Sequence, residues 1–245
     1  MARLTPISTR NSGHDGVIVP PGTGGGGGGD MPDRMPNYGE RLRHARLGLA
    51  VAMTPICILF ISFTVVYLVR RGFLSFDPAR NAFVREWVPV QLPWLMLGIN
   101  TGILVLGSIT MELERRGITR EAALAPIRAI PGVSLGNERR FPWLALTIVL
   151  GLGFVAGQLL VWQDLSARGF HLVGGTSSSF VYVLTAMHGL HLAGGLVALF
   201  LAAGAAVLNR NVQSRRIIVD VISWYWHGMT AIWIYIVVLF AFAAS

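Results

Sequence analysis

The residues able to do chemistry lie in two short stretches. In Met187-His188-Gly189-Leu190-His191-Leu192-Ala193-Gly194-Gly195, two histidines stand three residues apart inside an apolar run. In Trp224-Tyr225-Trp226-His227, a third histidine sits beside two tryptophans inside another. An imidazole in such a run can hydrogen-bond across helices, pass a proton because it titrates near neutrality, or ligate a metal or haem iron. On a helix, His188 and His191 lie about 60° apart around the axis, so they share a face that must look toward protein rather than lipid. A bis-histidine haem site needs ligands on facing helices, and only His227 could oppose that pair. Interhelical hydrogen bonding is the simplest use; a relay and ligation stay open on the residues alone.

The elements that must position these groups follow from composition. Of 245 residues, 53% are hydrophobic and 13% charged, and the mean hydropathy is +0.58, outside the range of an ordinary soluble domain. Five apolar runs, at 46 to 69, 88 to 111, 141 to 163, 178 to 208 and 217 to 243, each reach the ~20 residues that cross ~30 Å of hydrocarbon. The expected fold is all-α: a polytopic membrane protein with a five-helix transmembrane bundle over residues 44 to 245. Residues 1 to 43 form a Gly/Pro-rich arm with an unbroken glycine run from Gly24 to Gly29, a composition that predicts disorder. No apolar segment of signal-peptide type precedes that run.

The net charge of +8 comes from twenty basic residues, all arginine, lying in the segments between apolar runs. That distribution orients a membrane protein and does not point to nucleic acid. The arm and the second and fourth connections hold fifteen arginines, the other side five. The N-terminus is therefore expected in the cytoplasm and the C-terminus outside. The single cysteine, Cys57, lies inside the first run, which excludes an intrachain disulfide and a four-cysteine metal site.

Small residues at four-residue spacing, Gly98 with Gly102 and Gly153 with Gly157, predict close helix packing on the second and third spans. Pro55 is expected to kink the first span. Counting 1.5 Å per residue brings Gln158, His188 and His227 to similar depths, where they could face one another. Trp224, Tyr225 and Trp226 suggest either an interfacial belt or a packing cluster. Glu112 and Glu114 beside Arg115 and Arg116 read as locally paired charges at a helix end, and Asp220 reads as an i,i+4 partner of Arg216. His171, near Asp164 and Arg168, reads as a solvated loop residue.

The run TAMHGLHLAGG, followed across one short connection by WYWHGMTAIWIYIV, resembles the last two helices of subunit III of the haem-copper cytochrome c oxidases. The matching residues are His188, Gly189, His191, Trp226, His227 and Trp233. GLGFVAGQ, with Gly151, Phe154 and Gln158, resembles that family's third-span motif, and Asn100, Thr101, Ser108 and Thr110 match its asparagine-threonine helix. The resemblance runs from about residue 44 to the end and is closest to the short five-helix bacterial type.

It implies a non-catalytic subunit that packs on subunit I of an aerobic respiratory oxidase, beside subunit II. Such a subunit binds phospholipid, supports proton uptake and sustained turnover, and leaves haem and copper to partner chains. The implied setting is the bacterial plasma membrane, and the electron donor, cytochrome c or quinol, is not indicated. Three departures stand out: no acidic residue lies between Gly48 and Val69, and Val161 and Thr230 stand where the family usually carries a glutamate and an aspartate. The alternatives are a subunit III-like partner of a quinol oxidase or nitric oxide reductase and, from another class, an independent haem- or metal-binding membrane protein using His188, His191 and His227.

Overall fold

The computed structural model describes residues 38–77, 81–84, 90–128, 142–171, 175–208 and 212–244. The described residues form five long helices: α1 (Tyr38–Gly72), α2 (Trp94–Arg128), α3 (Trp143–Ala167), α4 (Thr176–Val207) and α5 (Val212–Ala244). All five are long and apolar enough to cross a membrane, so the chain is a multi-pass all-α membrane protein. A short antiparallel hairpin, β1 (Ser75–Asp77) and β2 (Ala82–Val84), follows α1 in the register Ser75 to Val84, Phe76 to Phe83 and Asp77 to Ala82.

The helices outrun the apolar runs. At 1.5 Å per residue, α2 is about 50 Å long, and its second half carries the charges Glu112, Arg115 and Arg116 beyond the apolar part. It begins after Pro93, where a residue without an amide hydrogen costs little; the first residues of the expected second span, 88 and 89, lie outside the described set. Residues 38 to 43, assigned by composition to the arm, belong to α1, while the rest of the arm is outside the described residues. Pro55 lies within α1, which continues through it as helix.

Helix α5 is central: it packs on α1, α2 and α4, while α3 joins α2 to α4. Helix α1 is peripheral, buries only Phe60, Thr64 and Tyr67, and makes no backbone contact with α2. Of the two expected glycine seams, one is internal to the chain. A side chain at Gly157 would collide with Asn100 of α2, and one at Gly153 would meet Ile103, whereas a Cβ on Gly98 or Gly102 would meet no other part of the protein within 4 Å. The latter pair faces outward, because the face of α2 turned to α3 carries Asn100, Leu104 and Gly107 instead.

Candidate functional site

The centre of the bundle is built around Trp226, which is fully buried. An indole of this size fits between helices only where neighbouring backbones lack side chains, and three glycines from three helices supply the room. A Cβ on Gly151 of α3 would stand 2.8 Å from the indole, one on Gly107 of α2 3.4 Å, and one on Gly195 of α4 3.6 Å. Next to it, Tyr225 donates its hydroxyl hydrogen to the His191 carbonyl at 2.8 Å, tying α5 to α4. Of the aromatic cluster, only Trp224 lies outward, at 53% exposed; Trp226 is a core residue, not part of a belt.

Two turns further along α5, Trp233 is the hub of the motif residues. Its ring lies 5.0 Å from that of His188 and 4.9 Å from that of Phe154, the latter edge-on. Its N–H donates to Thr101 Oγ1 of α2 at 3.0 Å. Phe60 of α1 closes the cage with ring separations of 6.4 Å to His188 and 5.9 Å to His191. His188 is thus fully buried among aromatic rings, and neither of its ring nitrogens has a hydrogen-bond partner in the protein. His191, one turn on, is partly exposed and turns Nδ1 back to the Met187 carbonyl at 2.6 Å. A Cβ on Gly189, between them, would meet no other part of the protein within 4 Å.

Asn100 and Gln158 meet separately between α2 and α3, through a long 3.4 Å bond from Asn100 Nδ2 to Gln158 Oε1. The expected meeting of Gln158, His188 and His227 is not observed. Residues 226 and 233 share the inward face of α5, while His227 is rotated about 100° from Trp226 and points toward α2. There His227 Nδ1 forms a short hydrogen bond with Ser108 Oγ, and Nε2 lies 3.2 Å from Ser223 Oγ and 3.6 Å from Glu112 Oε2. His227 therefore stands apart from His188 and His191, which share the Phe60 ring, and the three form no common ligand set. Among the described residues no three His, Cys, Asp or Glu side chains converge on a point suited to a metal ion.

Below His227, a charge network joins three helices. Asp220 accepts from Arg46 of α1 at 2.8 and 3.0 Å and from Arg115 of α2 at 3.3 Å. Glu112 takes Arg115 at 2.7 Å and Arg116 at 2.8 Å, the local pairing expected for it. The expected Asp220–Arg216 pair is replaced by these interhelical bonds, and the Arg216 guanidinium lies 5.0 Å from the centroid of the Tyr38 ring. A bidentate guanidinium fork gives Asp220 two aligned bonds from one partner. At the other end of the bundle, Arg168 pairs with Asp164 at 2.8 Å, and the exposed His171 accepts the Ser178 hydroxyl at its carbonyl.

Several residues that shape this core stand out only in three dimensions. Gly107, Phe60 and the Trp162 N–H bond to Thr185 Oγ1 at 3.0 Å belong to motifs of ordinary membrane composition. Their signal is the pairing of a glycine or hydroxyl with an aromatic at equal depth on another helix, which one sequence does not display.

These features define a class: a multi-pass membrane protein, with five spans among the described residues, whose intramembrane polar and aromatic residues are mostly engaged in helix packing. Comparison with known proteins then narrows it. No family model matches the chain. It is 30% identical over 92 residues to a probable cytochrome c oxidase subunit 3 of Mycobacterium bovis, covering 38% of this chain and 45% of that protein. The matched stretch thus spans under half the length of that relative. It is 27% identical over 194 residues to the cytochrome bo(3) ubiquinol oxidase subunit 3 of Pseudomonas putida, covering 77% of this chain and 80% of the relative. With a cytochrome c oxidase subunit 3 of Synechocystis it shares 26% over 202 residues, 78% of this chain and 72% of the other. Over about three quarters of its length the chain is therefore similar to subunit 3 of both a ubiquinol oxidase and a cytochrome c oxidase.

Proposed function

We propose that this chain serves as a non-catalytic subunit III of an aerobic haem-copper oxidase. The observation that supports it best is the contact between the two motifs: the ring of His188 of HGLH lies 5.0 Å from that of Trp233, downstream of WYWH, tilted by 36°. The motif residues are spent on holding α4 and α5 to α2 and α3, so the chain works by shape and association rather than by a reaction of its own. Electron transfer and oxygen reduction then belong to partner chains, subunits I and II, which hold the haem and copper. The chain contributes bound phospholipid, support of proton uptake and sustained turnover. Its setting is a bacterial plasma membrane, with the Arg46 and Arg115 end of the bundle toward the cytoplasm, as the arginine distribution favours.

The donor, cytochrome c or quinol, is left open by the relatives, whose names include both kinds of oxidase. The test is purification of the tagged chain from its own membranes in mild detergent. A haem-bearing oxidase chain recovered in fixed stoichiometry is the expected result; recovery of the chain alone sinks the proposal.

A further inference from the structure

At the end of the bundle opposite the Asp220 network, three helix ends carry exposed aromatic rings. Phe73 directly follows α1 and is 65% exposed, Trp94 opens α2, and Phe242 lies in the last turn of α5. Arg71 donates to the Phe242 carbonyl at 3.5 Å, so α1 and α5 end at one level. Aromatic rings at the ends of spans, with Arg70 and Arg71 in the last turn of α1, mark the boundary between hydrocarbon and headgroups. The β1–β2 hairpin leaves α1 at this boundary, only two residues beyond Gly72. Leu74 is 53% exposed and Phe83 69%. The register pairs position 76 with 83, so the two phenylalanine positions fall on one face of the ribbon, and Ser75, Asp77, Ala82 and Val84 occupy the positions of the other.

We infer that this hairpin is a membrane-surface anchor, seated in the headgroup layer with Phe73, Leu74 and Phe83 against the acyl boundary. Its partner is the lipid surface itself. The backbone fixes how deep it can lie. A two-stranded hairpin leaves N–H and C=O groups unpaired along both outer edges, which hydrocarbon does not tolerate and the water of the headgroup layer satisfies. The side chains fix how shallow it can lie, because exposed phenylalanine and leucine lower their free energy by leaving water. The surface is also continuous with one already turned to lipid. The outward face of α1 exposes Val65, Val66, Leu68 and Val69 and runs into Phe73 and Leu74. Between them stands the exposed Arg70, a cation at the level of lipid phosphates.

The anchor acts on the helix that packing holds least. Helix α1 buries only Phe60, Thr64 and Tyr67 and packs on α4 and α5 alone among the helices. Its other end is tied by Arg46 to Asp220. A hairpin held in the headgroups fixes the depth of the remaining end. The inference stands independently of the oxidase reading, since any multi-pass chain with this hairpin would use it in the same way.

The test is spin-label accessibility in the full chain within its own membranes. On a Cys57→Ser background, a nitroxide is attached at Phe83→Cys, with Ser62→Cys on the exposed face of α1 as the hydrocarbon reference and Gly39→Cys as the water reference. Collision with oxygen relative to a water-soluble nickel chelate should be intermediate at 83, above the value at 39 and below that at 62. A ratio equal to that at 39 places the hairpin in water, and one equal to that at 62 places it in hydrocarbon; either overturns the anchor. Exclusion of both relaxants means that a protein covers the face, which overturns it as well. A second variant needs no label. Phe83→Ser should quicken amide exchange over residues 66 to 72 about tenfold while leaving residues 42 to 50 unchanged. Unchanged exchange at both places contradicts an anchoring role.

Discussion

Trp226 lies across Gly151 so closely that a Cβ built on the glycine would stand 2.8 Å from the indole and 2.7 Å from Leu196 Cδ2. The bundle's centre is therefore full. Gly151→Ala should destabilise it by about 1 to 3 kcal/mol, the usual cost of overpacking a filled core. Gly107→Ala, with 3.4 Å to the indole nitrogen, should cost less. Unfolding of each variant in mixed detergent micelles measures the difference. Equal stability of Gly151→Ala and the parent would mean that the indole is free to move aside.

His188 sits in a cage of aromatic rings with both ring nitrogens unpartnered. A buried polar group without a partner costs about 1 to 3 kcal/mol, so removing it should not destabilise the chain. His188→Leu is expected to be at least as stable as the parent. A marked loss of stability would show that the imidazole makes a bond essential to the fold.

Trp233 and Thr101 present the opposite case. Their 3.0 Å bond joins α5 to α2, and a double-mutant cycle with Trp233→Phe and Thr101→Val should give a coupling of about 0.6 kcal/mol, reaching at most about 1.7. The 3.4 Å contact between Asn100 and Gln158 should couple more weakly in the same assay. A stronger coupling for the second pair would reverse this ranking.

The five helices and their order are legible in the sequence because span length and hydropathy are local properties. The positions of the histidines around their helices are less so. His188 and Trp233 meet because α4 and α5 are neighbours, and His227 leaves that group because one residue along a helix turns a side chain by about 100°. Depth alone, the property a sequence supplies, does not distinguish these directions. The same limit explains Asp220. Its neighbour in sequence, Arg216, was the natural local partner, yet the packing of α1 and α2 on α5 brings Arg46 and Arg115 to it instead. The hairpin after α1 was absent from the expectation because strands of three residues carry too short a hydrophobic pattern to register.

Asp220 holds the peripheral helix α1 at one end through Arg46. Asp220→Ala should cost roughly 2 kcal/mol, the scale of hydrogen bonds to charged groups. The effect should be local: amide exchange should quicken over residues 42 to 50 of α1 and stay unchanged around Phe60 and Thr64, which pack at the other end. Uniform acceleration along α1 would show that the ion pair supports the whole helix.

The proposed function places every redox centre in a partner chain. The most direct measurement is the visible spectrum of the tagged chain before and after the purified complex is dissociated in stronger detergent. Haem absorption that copurifies with the chain and then leaves with the separated partner is the predicted result. A Soret band retained by this chain after every partner has been removed would contradict it.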